Sequence, residues 1–406
     1  MPATDTGGCN TDMKLKKLPS YLIYIWYLFY YYAAYCIGLA ARHLPYYKDM
    51  WLIAERKTEA RDNGLHFFRY LNTEHPEINS VFIIDKSSPD FNRISALGKT
   101  IQPNTFRHML SFACAKIRIS THYMSCSPDD YRFAVLNRFG LIKGKSAVIQ
   151  HGIIANDLKE LHYPNARMDL FVCSSVPEYE SIKNTYGHPD GVVQGLGLCR
   201  YDCLLSPHET KRQILIMPTW RYFLRNLSDD EFAKTEYFNR FSMLLNNSKL
   251  LNALEEYDYT LVLYLHYVLQ SYSHLFKSSS SRVKILKKEG NDVQQLLMES
   301  SMLVTDYSSV FFDFAYMSKP IAYLQFDEEN FFATQYGRGY FNCHTNGFGP
   351  VFDNENQTAE YICEKIKHGA VLDSRYSARI NEFFDEHTDN HCEKTYKAIK
   401  ELFNHE

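Results

Sequence analysis

The chain of 406 residues lacks an excess of basic charge, since 44 Lys and Arg stand against 47 Asp and Glu, a formal net charge of −3. A nucleic-acid-binding protein would show a basic excess, so no nucleic-acid partner is expected. The sequence also lacks a CxxC pair, and its ten cysteines are scattered, several of them inside apolar runs. Such a set is typical of reduced, buried side chains, and no metal site is expected from it. Internal repeats, low-complexity tracts and the GxGxxG nucleotide fingerprint are absent as well.

Aromatic residues are abundant, with 31 Tyr and 27 Phe, and part of this excess lies in an uncharged segment at residues 18–41. The segment is long enough to span a bilayer as a helix, at about 20 residues per crossing. Its tyrosines and Trp26 prefer the headgroup region and favour a helix that lies in the membrane interface. A buried core helix and a cleaved signal peptide are the alternatives. We expect a flexible N-terminus over 1–17 and a membrane-associated helix over 18–42.

Short apolar runs alternate with longer helical stretches in the rest of the chain, which predicts parallel α/β sheets whose strands are buried on both faces. The runs lie at 51–55, 80–85, 117–121, 147–151, 170–174, 192–195, 213–219, 259–266, 283–286, 302–305 and 320–326. The series restarts after the polar segment 205–212. We therefore predict an N-terminal Rossmann-like domain over 43–205 and a C-terminal one over 206–406, facing each other across a cleft. Ligands of such sheets bind beyond the carboxyl ends of the strands.

A histidine closes one predicted strand in each domain. His151 follows the apolar run at 147–149, and His266 follows the run at 261–265. A neutral imidazole at a strand end can remove the proton of an acceptor hydroxyl. Taken alone, either residue is as readily a histidine bound to a backbone carbonyl. The occurrence of one in each domain favours a catalytic pair across the cleft, one acting as base and the other binding or protonating phosphate.

The strongest local pattern is the strand-to-helix segment 302–327. Its strand runs into TDYSS at 305–309, and a helix is expected from about residue 310. Ser308 and Ser309 would place hydroxyls beside the unpaired N–H groups of the helix start, which predicts a cradle for phosphate. Asp313 falls on the same helical face as Ser309. Ordinary serine capping with a solvated Asp313 is the alternative.

Two arginines are further candidates for contacts to phosphate. Arg221 follows the first predicted strand of the second domain, in the segment 214–221. Arg338 lies between two glycines that would allow a close approach of the backbone to a ligand. A guanidinium offers phosphate oxygens a rigid fork of donors. For Arg221, a surface arginine packed on Trp220 is the alternative.

Taken together, these residues resemble the CDP-glycerol glycerophosphotransferase family of teichoic acid and capsule synthesis. The resemblance covers roughly residues 50–400. It rests on QHG at 150–152, GLGLCRYD at 195–202, PTWR at 218–221, TDYSSVFFDFAYMSKPIAYLQFD at 305–327 and GRGYF at 337–341. It implies a GT-B fold and metal-independent transfer without a cofactor. It also implies CDP-glycerol as donor, a lipid-linked saccharide or polymer as acceptor, and peripheral attachment to the cytoplasmic face of the cell membrane.

The resemblance assigns roles to individual residues. His151 matches the family's proposed base and His266 its second histidine, which contacts the donor phosphates. Ser308, Ser309 and Asp313 match the donor-binding strand–helix motif. From the residues themselves, we expect the base of the nucleotide to lie against the loop 287–292 through backbone contacts, with Lys288, Asn291 and Asp313 as the nucleotide-binding residues. The loop 57–64 is expected to form a wall of the acceptor site.

The sequence departs from the family pattern at two places. Family members commonly have Lys-x-His-Pro at the second histidine, whereas this chain has Tyr264, Leu265, His266 and Tyr267. A lysine contact to phosphate is thus lost or replaced, for example by Lys287 or Lys288. The usual Gly-x-Pro-Arg-x-Asp turn has Cys199 in place of proline. A ribitol-phosphate or sugar transferase using another nucleotide-activated donor, and an inactive membrane-bound scaffold, therefore stay open as alternatives.

Overall fold

The computed structural model describes residues 20–385, 388 and 390–404, so the flexible segment expected over 1–17 lies outside the described residues. The described chain forms a seven-stranded and a six-stranded parallel sheet. The first sheet contains β1 (Trp51–Ala54), β2 (Ser80–Ile83), β3 (Lys99–Ile101), β4 (Ile117–Ser120), β5 (Lys145–Val148), β6 (Leu170–Cys173) and β7 (Val193–Gly195). The second contains β8 (Lys211–Ile216), β9 (Thr260–Tyr264), β10 (Val283–Leu286), β11 (Ser300–Thr305), β12 (Ile321–Leu324) and β13 (Val351–Phe352).

Helices connect the strands and cover both sheets. Those up to the end of the first sheet are α1 (Ser20–Ala41), α2 (Asn63–Glu74), α3 (Phe91–Leu97), α4 (Phe106–Cys114), α5 (Asp130–Arg138) and α6 (Val176–Thr185). The next are α7 (Tyr201–Leu204), α8 (Asp229–Phe232), α9 (Glu236–Leu245), α10 (Ser248–Glu256), α11 (Val293–Glu299) and α12 (Val310–Tyr316). The last are α13 (Glu328–Thr334), α14 (Cys343–Asn346), α15 (Glu355–Lys367), α16 (Ser374–Phe384) and α17 (His391–Glu401), and 3-10 turns lie at Lys159–Leu161, Tyr222–Leu224 and Tyr267–Leu275.

Both sheets are doubly wound. The strand order is β3-β2-β1-β4-β5-β6-β7 in the first and β10-β9-β8-β11-β12-β13 in the second. The central strands are aliphatic and buried, as parallel strands covered by helices on both faces must be. The order reverses beside β1 and beside β8, which opens a crevice at the carboxyl ends of the neighbouring strands. Two Rossmann-like domains confirm the predicted fold class, a GT-B arrangement.

The sequence did not predict β3 and β13. Each lies at an edge of its sheet, where one side needs no strand partner and the apolar pattern is correspondingly weak. β3 begins with an exposed Lys99, and β13 has only two residues, both half-buried. Runs of this length and polarity do not stand out from loops.

The last helix does not stay with the second domain. The chain changes sheets between β7 and β8, but α17 packs on the first domain, where Cys392 and Ile399 share a core with Trp51 and Ile53. The second domain is therefore not one continuous segment 206–406. The amphipathic pattern of α17 indicates a buried face without indicating which domain buries it.

Helix α1 lies against the first domain by one of its sides. Tyr31 is fully buried, and its hydroxyl accepts a hydrogen bond from the Lys143 backbone N–H at 2.8 Å. Tyr32 donates to the Leu141 carbonyl at 2.9 Å. The other side exposes large apolar residues, and by length and composition the helix could cross a membrane. The segment thus combines a core helix with an uncovered apolar face.

Beneath α1, α4 carries a histidine that the fold holds neutral. His108 is fully buried; its Nδ1 accepts a hydrogen bond from the Asn104 backbone N–H at 3.1 Å, and its Nε2 donates to the Cys126 carbonyl at 2.9 Å. A second ring proton would have no acceptor on Nδ1. Burial accordingly lowers the pKa of His108 to about 4.

This histidine should make the free energy of unfolding depend on pH. Because the pKa is lower in the folded state than the unfolded value of about 6.5, its stabilisation is complete above about pH 6.5 and is lost as the pH falls towards 4. His108→Gln keeps a donor and an acceptor but does not titrate. Between pH 7 and pH 5, urea unfolding should show the wild type losing about 2 kcal/mol more than the variant. The exposed His43→Gln variant serves as control and should behave like the wild type, whereas equal losses in all three proteins would contradict the prediction.

Candidate active site

Three loops of the first domain meet where its strands end. The loop after β1 leads to Asp62, the turn after β4 carries His122, and the turn after β5 carries His151. The β5 turn needs Gln150 in the left-handed region, with φ of 60°, an uncommon conformation that two bonds hold in place. The Gln150 carbonyl accepts from Asn63 Nδ2 at 2.7 Å, and its amide donates to buried Glu178 at 3.3 Å.

His151 projects from this turn into the cleft. Its side chain is 58% exposed, and its Nδ1 is hydrogen-bonded to the buried Asp62 Oδ2. The ring of His122 stacks against it, with centroids 4.7 Å apart and planes inclined by 29°. Burial first, and the charge of His151 second, lower the pKa of His122 to about 3, so this neighbour is neutral. The arrangement leaves Nε2 of His151 towards the open cleft.

One arginine joins the two domains beside His151. Arg200 Nη1 lies 2.8 Å from Asp62 Oδ1 and donates to the His151 carbonyl at 2.6 Å. Its Nε and Nη2 make a paired contact to both oxygens of Asp313, at 2.9 and 2.7 Å. All three charged side chains are buried. Asp313 therefore ties α12 of the second domain to Asp62 of the first, and its predicted nucleotide contact is not the role that this geometry gives it.

Several residues of the segment GLGLCRYD, which contains Arg200, hold the last helix in place. Gly197 has φ of +78°, and a Cβ there would lie 2.0 Å from Nδ1 of His391. Asp202 accepts hydrogen bonds from the backbone N–H groups of His391 and Cys392, at 2.7 and 2.9 Å, and so holds the start of α17. The linker between the domains is thereby fixed to the last helix. Cys199 fits this segment without proline because it is buried in the core of the first domain.

His266 closes β9 on the opposite side of the cleft. Its Nδ1 accepts from the Val268 backbone N–H at 3.4 Å, which places the ring proton on Nε2. The Trp220 ring stacks on it with a centroid distance of 6.0 Å. Burial, then the charges of Arg56 and His151, lower the pKa of His266 to about 4.

Cationic and aromatic side chains from both domains flank this pair. Arg56, two residues after the end of β1, lies over the Tyr267 ring at 5.2 Å. Lys288 Nζ lies 5.7 Å from the same ring and 3.7 Å from Glu59 Oε2 of the first domain. The position that the family fills with proline thus holds a half-exposed Tyr267 between two cations. Arg56 was not predicted as a site residue, although its place after a strand end marks it as one.

The predicted phosphate cradle lies on the same side as His151. Ser309 is the N-cap of α12 and is exposed, and Ser308 is half-buried; the Ser309 side chain makes no capping hydrogen bond to that helix. A Cβ built on Gly152 would be 3.7 Å from Ser309 Oγ. The QHG turn of the first domain therefore approaches the TDYSS turn of the second at Ser309.

Arg221 does not reach the cleft. It is fully buried and forms ion pairs with Asp306 at 2.9 Å and Asp327 at 2.7 Å, while Nη1 donates to the Thr219 carbonyl at 2.6 Å. All three guanidinium nitrogens thus bind oxygen atoms of the second domain. The prediction that Arg221 binds phosphate is therefore corrected. Sequence position alone could not reveal this, because the two carboxylates come from the ends of β11 and β12.

Arg338 and the nucleotide loop are accessible. Arg338 is half-exposed, stacks on Phe332 at 4.5 Å and pairs with Glu328 at 2.7 Å. Its neighbour Gly339 has no room for a Cβ, which would lie 2.0 Å from the Ala155 carbonyl oxygen of the first domain. Asn291 accepts a 3.3 Å hydrogen bond at its carbonyl from Arg61 Nη1. Both loops therefore border the junction of the domains.

Buried acidic groups support the first-domain loops. Glu55 accepts hydrogen bonds from the backbone N–H groups of Arg61, Asp62 and Leu65, the shortest of 2.6 Å. Burial, followed by the charge of Asp62, raises the pKa of Glu55 to about 8, and burial raises the pKa of Glu178 to about 7. Neither residue was predicted. In the described part of the chain, no three His, Cys, Asp or Glu side chains are placed to hold a metal ion.

Comparison with known proteins identifies what the chain is similar to. Residues 39–401 match the model of the family described as CDP-glycerol:poly(glycerophosphate) glycerophosphotransferase. The minor teichoic acid biosynthesis protein GgaB of Bacillus subtilis is 31% identical over 370 residues, 88% of this chain and 40% of that protein. The teichoic acid poly(glycerol phosphate) polymerase of Staphylococcus epidermidis is 23% identical over 366 residues, 80% of this chain and 46% of that protein. The chain thus spans less than half the length of these relatives.

A solved structure shares the architecture. A structure of the wall teichoic acid polymerase TagF superposes with a TM-score of 0.63 at 15% identity, over 91% of this chain and 94% of that one. At this identity the likeness concerns the fold alone. It confirms the predicted fold of two parallel-sheet, Rossmann-like domains.

The buried position of Arg221 leads to a stability prediction. Arg221→Leu leaves Asp306 and Asp327 buried without a counter-charge, and the free energy of unfolding in urea should fall by about 3–5 kcal/mol. The neighbouring exposed Arg225→Leu variant serves as control and should lose less than about 1 kcal/mol. An Arg221→Leu protein of wild-type stability that had lost affinity for a nucleotide donor would show instead that the guanidinium binds phosphate.

Proposed function

Because the chain belongs to the CDP-glycerol:poly(glycerophosphate) glycerophosphotransferase family, we propose that it transfers a glycerol-phosphate unit from CDP-glycerol and releases CMP. The acceptor is a hydroxyl of a lipid-linked precursor of a cell-surface polymer, a teichoic acid or a capsule. The enzyme is accordingly a CDP-glycerol glycerophosphotransferase.

The observation that carries this proposal is the presence of one strand-end histidine in each domain, in loops that meet the opposite domain. His151 offers a free Nε2, and His266 offers an Nε2–H donor held neutral by burial. Both side chains follow the carboxyl ends of strands, β5 and β9, that lie one strand away from the switch in strand order, and α/β proteins bind their ligands at this edge of the sheet. A base and a phosphate donor on opposite walls suit the attack of a hydroxyl on a phosphorus atom between them.

The reaction that fits is an in-line displacement. The acceptor oxygen attacks the β-phosphorus of CDP-glycerol, and its proton passes to Nε2 of His151. The bond between the β-phosphorus and the bridging oxygen breaks, and CMP leaves with that electron pair. The product is a phosphodiester between the acceptor and glycerol, and the exposed imidazolium returns its proton to solvent. Positioning and electrostatic stabilisation supply most of the catalysis in such a step.

The charge that develops on the phosphoryl oxygens needs donors, and the cleft supplies several. His266 contributes its Nε2–H, and Ser308 and Ser309 contribute hydroxyls at the start of α12. Lys288 and Arg338 supply positive charge from the second domain, and the loop that contains Lys288 and Asn291 is the place for the nucleotide. Arg56 is the cation that takes the place of the lysine missing before His266, since it lies 5.2 Å from the ring of the adjacent Tyr267 and its charge lowers the pKa of His266.

Removal of the base provides the direct test. His151→Ala should bind CDP-glycerol with wild-type affinity, yet CMP release in the presence of acceptor should fall by about 10²–10⁴-fold. His274→Ala is a matched control, because His274 is also an exposed histidine paired with a carboxylate, Asp229, but lies outside the cleft. Unchanged turnover by His151→Ala would refute the base assignment.

Donor choice separates this function from its rivals. Mass spectrometry of the products from CDP-glycerol and CDP-ribitol, each offered with a synthetic lipid-linked acceptor, shows which unit is added. A glycerol-phosphate increment of the acceptor supports the proposal. A ribitol-phosphate increment, or release of UDP from a UDP-sugar, supports another donor on the same fold. An inactive scaffold would give neither a product nor thermal stabilisation by any donor.

We further propose that α1 holds the enzyme peripherally on the cytoplasmic face of the cell membrane, close to its lipid-linked acceptor. Ile25 and Phe29 are 58% and 67% exposed, and Trp26 lies between them on the outer side of the helix. Phe106 of α4, next to Tyr30, extends the apolar surface. Because Tyr31 and Ala34 are buried against the domain, the helix can insert only this outer face, as interfacial helices do.

Charge placed on the outer face should therefore release the protein. Phe29→Asp is expected to weaken binding to phospholipid vesicles at least about tenfold, since full burial of such a side chain is worth about 1.5–3 kcal/mol. Met243→Asp is the control, because Met243 is 53% exposed on the second domain and should bind as the wild type does. Flotation or sedimentation with vesicles measures the effect. Equal binding by all three proteins would exclude α1 as the membrane contact.

A further inference from the structure

Three contacts determine how the His151 ring stands in the cleft. Asp62 Oδ2 is bonded to Nδ1, the His122 ring lies against one face, and the backbone carbonyl of His151 is held by Arg200. None of these contacts involves Nε2. The ring therefore has one restrained nitrogen and one that faces the cleft, which is the division that a general base requires.

Asp62 is itself held rigidly by other groups. It is the N-cap of α2, where Oδ1 accepts from the Asn63 backbone N–H at 2.8 Å, and its own backbone N–H donates to Glu55. Oδ1 also receives Arg200 Nη1 at 2.8 Å. Burial alone would raise the pKa of Asp62, but its hydrogen bond with His151 and the charge of Arg200 outweigh it, so that the pKa lies below the usual value. A fixed, ionised carboxylate thus faces Nδ1.

We propose that Asp62 is the positioning residue of the base: it accepts a hydrogen bond from Nδ1–H of His151 and thereby keeps Nε2 unprotonated and aimed at the acceptor hydroxyl. This inference rests on the proposed function, in which Nε2 removes the acceptor proton. When that proton arrives, the ring becomes an imidazolium, and the adjacent carboxylate stabilises it without taking up the proton. Arg200 and His122 complete the support without touching the reacting atoms.

The partners of Asp62 extend this role to the second domain. Arg200 shares its guanidinium between Asp62 and Asp313, and Asp313 lies one turn into the helix that begins at Ser309. The same ion pair thus holds the carboxylate that orients the base and the helix expected to hold the donor phosphate. The base is therefore correctly oriented when α12 lies against the first domain. The same contact of Arg200 aligns the base with the donor that α12 is expected to hold.

Asp62→Asn tests this assignment because it changes one atom and preserves shape. The amide oxygen can still cap α2 and accept from Arg200, but the amide nitrogen would donate to Nδ1 of His151. That bond favours the tautomer with its proton on Nε2, which cannot act as a base. We expect kcat for transfer to fall by about 10²–10⁴-fold, with KM for CDP-glycerol within about threefold of the wild-type value.

The pH profile distinguishes positioning from a structural role. Loss of the negative charge makes the imidazolium less favourable, so the acidic limb of the kcat profile should move to lower pH in Asp62→Asn. Asp129→Asn is the matched control: Asp129 caps α5 in the same domain and pairs with Arg132 instead of a histidine. It should share any loss of capping stability yet keep the wild-type kcat and pH profile.

A second measurement avoids dependence on how the variant folds. In the wild-type protein with ¹⁵N-labelled histidine, the signals that vanish in His151→Ala should show a protonated Nδ1 and an unprotonated Nε2 at neutral pH. The opposite tautomer would overturn the inference. So would an Asp62→Asn enzyme with wild-type kcat and pH profile, or one whose only change is lower stability.

Failure of the proposed function gives a different pattern of results. If the wild-type protein transfers nothing from CDP-glycerol, or if His151→Ala retains full turnover, the proposed function or its base is refuted whatever the tautomer. If His151→Ala is inactive while Asp62→Asn is fully active, the assignment of His151 as base is supported and only the positioning role of Asp62 is refuted.

Discussion

The architecture depends on the need to neutralise charge where the two domains meet. Arg200, Asp62 and Asp313 are all buried, and buried carboxylates without a counter-charge would cost several kcal/mol. Each domain contributes one carboxylate, so neither domain can bury its own without the arginine of the linker. This requirement fixes the relative position of the domains at the point where both sheets end, and it places His151, through its carbonyl and its carboxylate partner, within the same network.

Much of this organisation is readable from the sequence, because strand ends in parallel sheets are predictable. The apolar runs before His151 and His266 identify both residues as strand-end histidines in opposite domains, and the structure brings them to the cleft. The edge strands β3 and β13 were not predicted because they are short and partly polar. The packing of α17 on the first domain was not predicted because the pattern of an amphipathic helix does not indicate which domain buries its apolar face.

The charged residues of the motifs were harder to interpret. Arg221 and Asp313 stand beside strand and helix ends in the sequence, where ligand contacts are expected, but the fold uses both in buried ion pairs. Their carboxylate or guanidinium partners are separated by about a hundred residues or lie in the other domain, which no local pattern records. Asp62, in contrast, follows the carboxyl end of β1, so its position indicated the site but not its contact with His151. Pairing of charges is decided by tertiary structure, whereas exposure at strand ends is decided by topology.

The path of the chain between the domains has a mechanical consequence. The backbone crosses from the first domain to the second after β7 and crosses back before α17, and the two crossings are held together by Asp202 and His391. Two adjacent covalent connections allow the domains to rotate relative to each other in fewer directions than a single connection would. Any relative motion of the two domains is therefore constrained at this corner, both by the two chain connections and by the hydrogen bonds from the start of α17 to Asp202.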